Sequence, residues 1–131
     1  MAGELRLSRE SLEAAFVKKV EELSGQNPYA CYQCGKCSAG CLFAEHMDFL
    51  PNQILRLVQL GDESVLWAKA PWVCAACLAC TVRCPKGVDI ARIMEALRQI
   101  ALRRGVQPVE FKVDRPYPQI ALVGAYRKVT P

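Results

Sequence analysis

The sequence predicts a mainly α-helical domain wrapped around two cysteine loops, with a helix ahead of it and an extended arm behind. Three observations carry that expectation. Eight cysteines fall into two matched runs at a constant offset. Stretches of helical apolar period flank both runs. The apolar–polar alternation of strands is weak throughout this core.

Residues 1–27 read as an amphipathic helix and the turn that ends it. Ser8 suits an N-cap, and Leu12, Ala15, Phe16, Val20 and Leu23 recur at helical spacing. Gly25 is the stop, and Gln26-Asn27-Pro28 is the turn.

Residues 28–105 hold the cysteines, at 31, 34, 37 and 41 and again at 74, 77, 80 and 84. Every member of the second run lies 43 positions after its counterpart. Such an internal repeat outranks other signals. Each run reads C-x2-C-x2-C-x3-C, and Cys84 is followed by Pro85. Three cysteines two residues apart let one tight turn of backbone put thiolates on three corners of a cubane. The fourth corner needs a ligand from elsewhere, and in two-cluster ferredoxins the last cysteine of each run serves the other cluster. The cofactors expected are therefore two [4Fe–4S] clusters. Cys31, Cys34, Cys37 and Cys84 take one; Cys74, Cys77, Cys80 and Cys41 take the other. Structural zinc would show C-x2-C pairs a dozen or more residues apart rather than two sets of a triplet plus one. A disulfide framework fits poorly, because C-x2-C neighbours in a turn are badly placed to bridge. A redox dithiol leaves most of the repeat unexplained.

The helices of this domain follow the loops. Pro51 to Leu60 reads as one, with proline in its first turn, Gly61 past its end, and Ile54, Leu55, Leu57 and Val58 facing the core. Glu63 to Ala70 reads as a shorter one containing Trp67 and broken by Pro71 before Trp72. Asp89 can cap a helix over Ile90 to Arg104, with Ile90, Ile93, Met94, Leu97, Ile100 and Ala101 as its stripe and Gly105 as its stop. Small β-α-β ferredoxins would show strands beside each run; here a helix follows each, so the fold expected is an α-helical ferredoxin.

Residues 106–131 change character. Pro108, Pro116, Pro118 and Pro131 argue against a long helix, and the segment lacks cysteine. Ile120 to Val123 with Phe111, Tyr117 and Tyr126 is too apolar for a free tail. The expectation is an extended arm that orders against a partner.

Composition narrows the class of function. At 131 residues, 52% hydrophobic and 23% charged, the chain can bury a core. Its net charge of +4 hints at nucleic acid. Eight thiolates on two positively charged cubane cores bring the sum close to zero, so no nucleic-acid partner is expected. No stretch approaches the roughly 18 apolar residues that span a bilayer. Met1 to Phe16 lacks the apolar region of a secretory signal, so the expected compartment is the cytoplasm.

Few other residues suggest chemistry. Gly35 and Gly40 relax the backbone around the cubane. Lys36, Arg83 and Lys86 lie beside cysteines, where positive charge would raise a cluster potential. His46 is the only histidine, whereas a Rieske site needs two; it is structural or a surface residue. Trp67 and Trp72 are expected to shield a cluster from water. Neither a Gly-rich phosphate loop nor a nucleophile–base pair is recognisable, so no catalytic residue is assigned.

The strings CYQCGKCSAGC, PNQILRLVQLG and WVCAACLACTVRCPKGVDI closely resemble the C-type component of heterodisulfide reductase, over about Tyr29 to Arg104. Leu42 departs from that pattern, which has proline after the fourth cysteine. The resemblance implies an electron-relay subunit, non-catalytic alone. It would pass single electrons between a flavin-containing A-type subunit and a cysteine-rich B-type subunit. Two alternatives are a freely diffusing ferredoxin-like carrier and the iron–sulfur subunit of another flavin dehydrogenase.

Overall fold

The computed structural model describes residues 15–106 and 116–129. Among these residues there is no strand. The described residues form seven α-helices and three 3-10 turns: α1 Ala15–Ser24, α2 Lys36–Ala39, α3 Pro51–Gln59, α4 Ala70–Val73, α5 Ala79–Arg83, α6 Ile90–Arg103 and α7 Gln119–Val129. The fold is helical, as the sequence predicts, with each cysteine loop leading into a short helix.

Helix α6 is the axis of the core. Its stripe of Ile90, Ile93, Met94, Leu97, Ile100 and Ala101 is buried as expected. Helix α1 packs along it, burying Phe16, Val17 and Val20. The expected Ala15 is exposed and Val17 takes a core position instead. Helix α3 contributes Ile54, Leu55 and Val58, while the turn Glu63–Trp67 adds Val65 and Leu66 between α3 and α6. Each large side chain so buried contributes roughly 1.5–3 kcal/mol.

The helix ends follow simple capping chemistry. The Asp89 carboxylate accepts from Arg92 N at 3.2 Å and starts α6. Gln53 reaches back to accept from Leu50 N at 2.9 Å, beside Pro51 in the first turn of α3. Gly25, Gly61 and Gly105 lie just past the ends of α1, α3 and α6, as expected.

Three expectations are corrected. Pro71 does not end a helix; it opens α4, because a first-turn proline needs no amide donor. Trp67 does not shield a cluster: it is 74% exposed on its 3-10 turn, while Trp72 is half-buried against the core. The arm over 106–131 is not extended throughout, since residues 119–129 form α7. Pro116 and Pro118 precede that helix, and the Pro118 carbonyl accepts from Ala121 N at 2.9 Å, so these prolines act at its start. Ser8, Leu12, Pro108, Phe111 and Pro131 lie outside the described residues.

Candidate cluster-binding site

The two cysteine runs adopt the same local backbone. Gln33 and Ala76, 43 positions apart, both have positive φ, 64° and 53°. So do Gly35 and Leu78, at 79° and 63°. Each loop therefore turns through two left-handed residues before entering its short helix, α2 or α5. Those two helices pack against each other, which brings the halves face to face. The repeat reaches beyond the cysteines: Pro28 and Pro71 open equivalent turns, and Ser38 and Thr81 follow the third cysteine of each run.

None of the eight cysteines is in a disulfide. Their exposure also repeats. Cys34 and Cys77, the middle cysteines of the two triplets, are exposed; Cys37 is buried and Cys80 half-buried. Burial raises the thiol pKa of both Cys37 and Cys80 above the ordinary value, partly offset by hydrogen bonds from Ser38 and Thr81 respectively. Cys80 also feels Cys74 and Cys37. The third cysteines of the two loops thus lie on helices that pack against each other.

The fourth cysteine of the first run sits with the second loop. Cys41 lines an apolar cavity together with Cys74, Cys77 and Cys80, walled by Phe43, Met47, Ile90 and Met94. The thiols whose charges bear on Tyr32 are those of Cys34, Cys84 and Cys31. Local desolvation first, then Cys34, with Cys84 and Cys31 adding, raises that phenol pKa. Among the described residues, no three Cys, His, Asp or Glu side chains converge as they would on one ion. Eight thiols on two packed loops, with Cys41 in one cavity with the second loop, offer cysteine donors alone. The all-thiolate donor set is the one [4Fe–4S] clusters take.

Hydrogen bonds reach several sulfurs. Gln33 N donates to Cys31 Sγ at 3.4 Å and Gln33 Nε2 at 3.5 Å. Val88 N donates to Cys84 Sγ at 3.4 Å. Ser38 Oγ lies 3.9 Å from Cys37 Sγ and is held by Asn52 on α3. Thr81 donates to Asp89 Oδ1 at 3.1 Å, tying α5 to the cap of α6.

The charged residues picked out in the sequence are on the surface. Lys36, Arg83 and Lys86 are exposed. Lys86 Nζ lies 5.8 Å over the Tyr32 ring, a cation–π contact. His46 is exposed on the turn Ala44–His46.

Sequence reasoning missed the residues that hold the loops from behind. Gln59 Nε2 donates to Pro28 O at 2.8 Å and Cys31 O at 2.9 Å. Arg98, 9% exposed, donates through Nη1 to Pro71 O at 2.7 Å. Lys128 of α7 donates through Nζ to Trp72 O at 2.9 Å and Cys74 O at 3.0 Å. Asp48 accepts from Lys69 N at 2.7 Å and Ala70 N at 2.9 Å, capping α4 from a distant loop. A polar residue inside an otherwise apolar helical stripe, as at Gln59 and Arg98, was the available signal.

Comparison with known proteins agrees with this geometry. A family model described as a 4Fe-4S dicluster domain matches residues 27–88. The C-type component of the ferredoxin:CoB-CoM heterodisulfide reductase of Methanosarcina acetivorans is 39% identical over 77 residues, covering 59% of this chain and 31% of that one. A C-type iron-sulfur component of the CoB–CoM heterodisulfide reductase of Methanocaldococcus jannaschii is 40% identical over 76 residues, 58% of this chain and 41% of that one. A C-type component of the H(2)/formate:CoB-CoM heterodisulfide,ferredoxin reductase of Methanococcus maripaludis is 29% identical over 119 residues, 85% of this chain and 65% of that one. The chain spans less than two thirds of the length of each of these relatives. It carries two [4Fe–4S] clusters and is a ferredoxin-type relative of the C-type components of heterodisulfide reductases.

Proposed function

We propose that the chain is the electron-relay subunit of a heterodisulfide-reductase-like complex in the cytoplasm. It receives single electrons from a flavin-containing A-type subunit and passes them to a cysteine-rich B-type subunit. When bound, the clusters supply one-electron redox capacity. The chain holds them side by side, keeps water from their inner faces and presents their outer faces.

One observation carries this reading. The third cysteines of the two loops, Cys37 and Cys80, stand on α2 and α5, the two short helices that pack against each other, while the middle ones, Cys34 and Cys77, are exposed. That arrangement gives an electron two surface openings joined by a short inner path. The ligand sets we infer are Cys31, Cys34, Cys37 and Cys84 for one cluster, and Cys74, Cys77, Cys80 and Cys41 for the other. The shared cavity of Cys41 with the second loop and the packing of α2 on α5 support them. Leu42 and Val82, 82% and 84% exposed beside the loops, support a docked partner over a free carrier.

Two measurements test the proposal. Protein purified without oxygen should hold about eight iron and eight sulfide per chain; tightly bound zinc without acid-labile sulfide would exclude it. Size-exclusion of native extract should find the chain with a flavoprotein and a second cysteine-rich chain. A lone peak near 14.5 kDa would point to a free carrier.

A further inference from the structure

The two halves repeat in sequence and backbone, yet they are held from behind by different chemistry. In the first half the carbonyls of Pro28 and Cys31 accept from one neutral amide, Gln59. In the second half the equivalent carbonyls, 43 positions on, accept from cations. Arg98 takes Pro71 O, and Lys128 takes Cys74 O together with Trp72 O. Arg98 is buried and Lys128 half-buried. The charges that bear on Lys128 are those of Arg98 and Cys74. Cations sheltered from solvent act on a nearby redox centre far more than exposed ones such as Lys36 and Lys86, which water and salt screen.

We propose that Lys128 is a positioning residue that selectively raises the reduction potential of the cluster held by the Cys74 loop. This rests on the two-cluster reading above. Reduction adds one negative charge to that cluster, and a cation held at the Cys74 carbonyl stabilises the added charge. The effect is reciprocal. If a seated Lys128 favours the reduced state, reduction favours the seated helix by the same factor. Helix α7 is then a strap that tightens on the second loop when its cluster is reduced. The first loop, held by Gln59, has no such response.

The test is a potentiometric titration followed by EPR on the full-length, cluster-loaded protein. Lys128→Gln replaces the ammonium by the group that serves the first half. The expected result is a lower midpoint for one of the two cluster signals, with the other unchanged. Lys128→Arg should restore it. Cys77→Ser, which alters the spectrum of the second-loop cluster, identifies the signal that moves. Midpoints that stay put, or that both move equally, overturn the proposal. Hydrogen exchange on the unsubstituted protein gives a second readout. Residues 119–129 should exchange more slowly in the reduced protein, and equal rates in both states contradict the strap. Iron and sulfide counts separate the two levels: full clusters with an unmoved potential defeat this inference alone, and absent clusters defeat the reading beneath it.

Discussion

Arg83 lies directly against Gly40. A Cβ built on Gly40 would come 2.7 Å from the Arg83 guanidinium carbon and 2.8 Å from its Cδ. The two residues occupy equivalent places, each preceding the last cysteine of its run, and they meet where α2 packs on α5. The glycine leaves room for the arginine. Gly40→Ala should cost less than about 1 kcal/mol, because the obstructing atoms belong to an exposed, flexible side chain that can swing away. Removing Arg83 in the same molecule should abolish that cost. Anaerobic denaturation of the single and double variants measures both.

Gln59 is the buried support of the first loop. Gln59→Leu keeps the volume but takes the side-chain donor away from Cys31 O and from Pro28 O, which keeps only the Cys31 N–H at 3.3 Å. The expected loss is about 1–3 kcal/mol. It should show as earlier loss of the visible cluster absorbance on thermal unfolding.

The left-handed residues of the two loops differ in strain. Gly35 at φ 79° takes that conformation freely, while Leu78 at φ 63° does not. Gly35→Ala should destabilise by about 1 kcal/mol. Leu78→Gly should be neutral or stabilising, since the relieved strain offsets the extra freedom of the unfolded chain. Denaturation midpoints of the two variants should therefore move unequally.

These positions show what the sequence makes legible. The constant offset exposes both loops and their eight thiols, and the stripe of α6 from Ile90 to Ala101 is buried as its period implies. The backs of the loops are not legible. Gln59 and Lys128 act on backbone carbonyls far away in sequence, and carbonyls have no sequence signature. Trp67 misleads because an aromatic beside a cysteine run suggests shielding, yet its 3-10 turn points it outward. Helix α7 is hidden because prolines that precede a helix look, in composition, like prolines that forbid one.

Glu63 and Arg104 join the turn Glu63–Trp67 to the end of α6 through a two-point contact, Arg104 Nη2 reaching Glu63 Oε1 at 3.3 Å. The guanidinium hydrogen bond holds the Glu63 pKa below its ordinary value. The contribution to stability is therefore present above the ordinary carboxylate range and is lost as pH falls through the lowered folded value. Both groups are exposed, so Glu63→Gln should cost no more than about 1 kcal/mol at pH 7. The difference in thermal unfolding between the two proteins should shrink steadily as the solution is made more acidic than the ordinary carboxylate range.

The crossed ligand sets are tested most directly by EPR of the reduced protein with single cysteines replaced by serine. Crossing predicts that Cys84→Ser and Cys34→Ser perturb one and the same cluster signal, and that Cys41→Ser and Cys77→Ser perturb the other. If Cys84→Ser instead alters the signal that Cys77→Ser alters, each run binds its own cluster and the crossed arrangement is wrong.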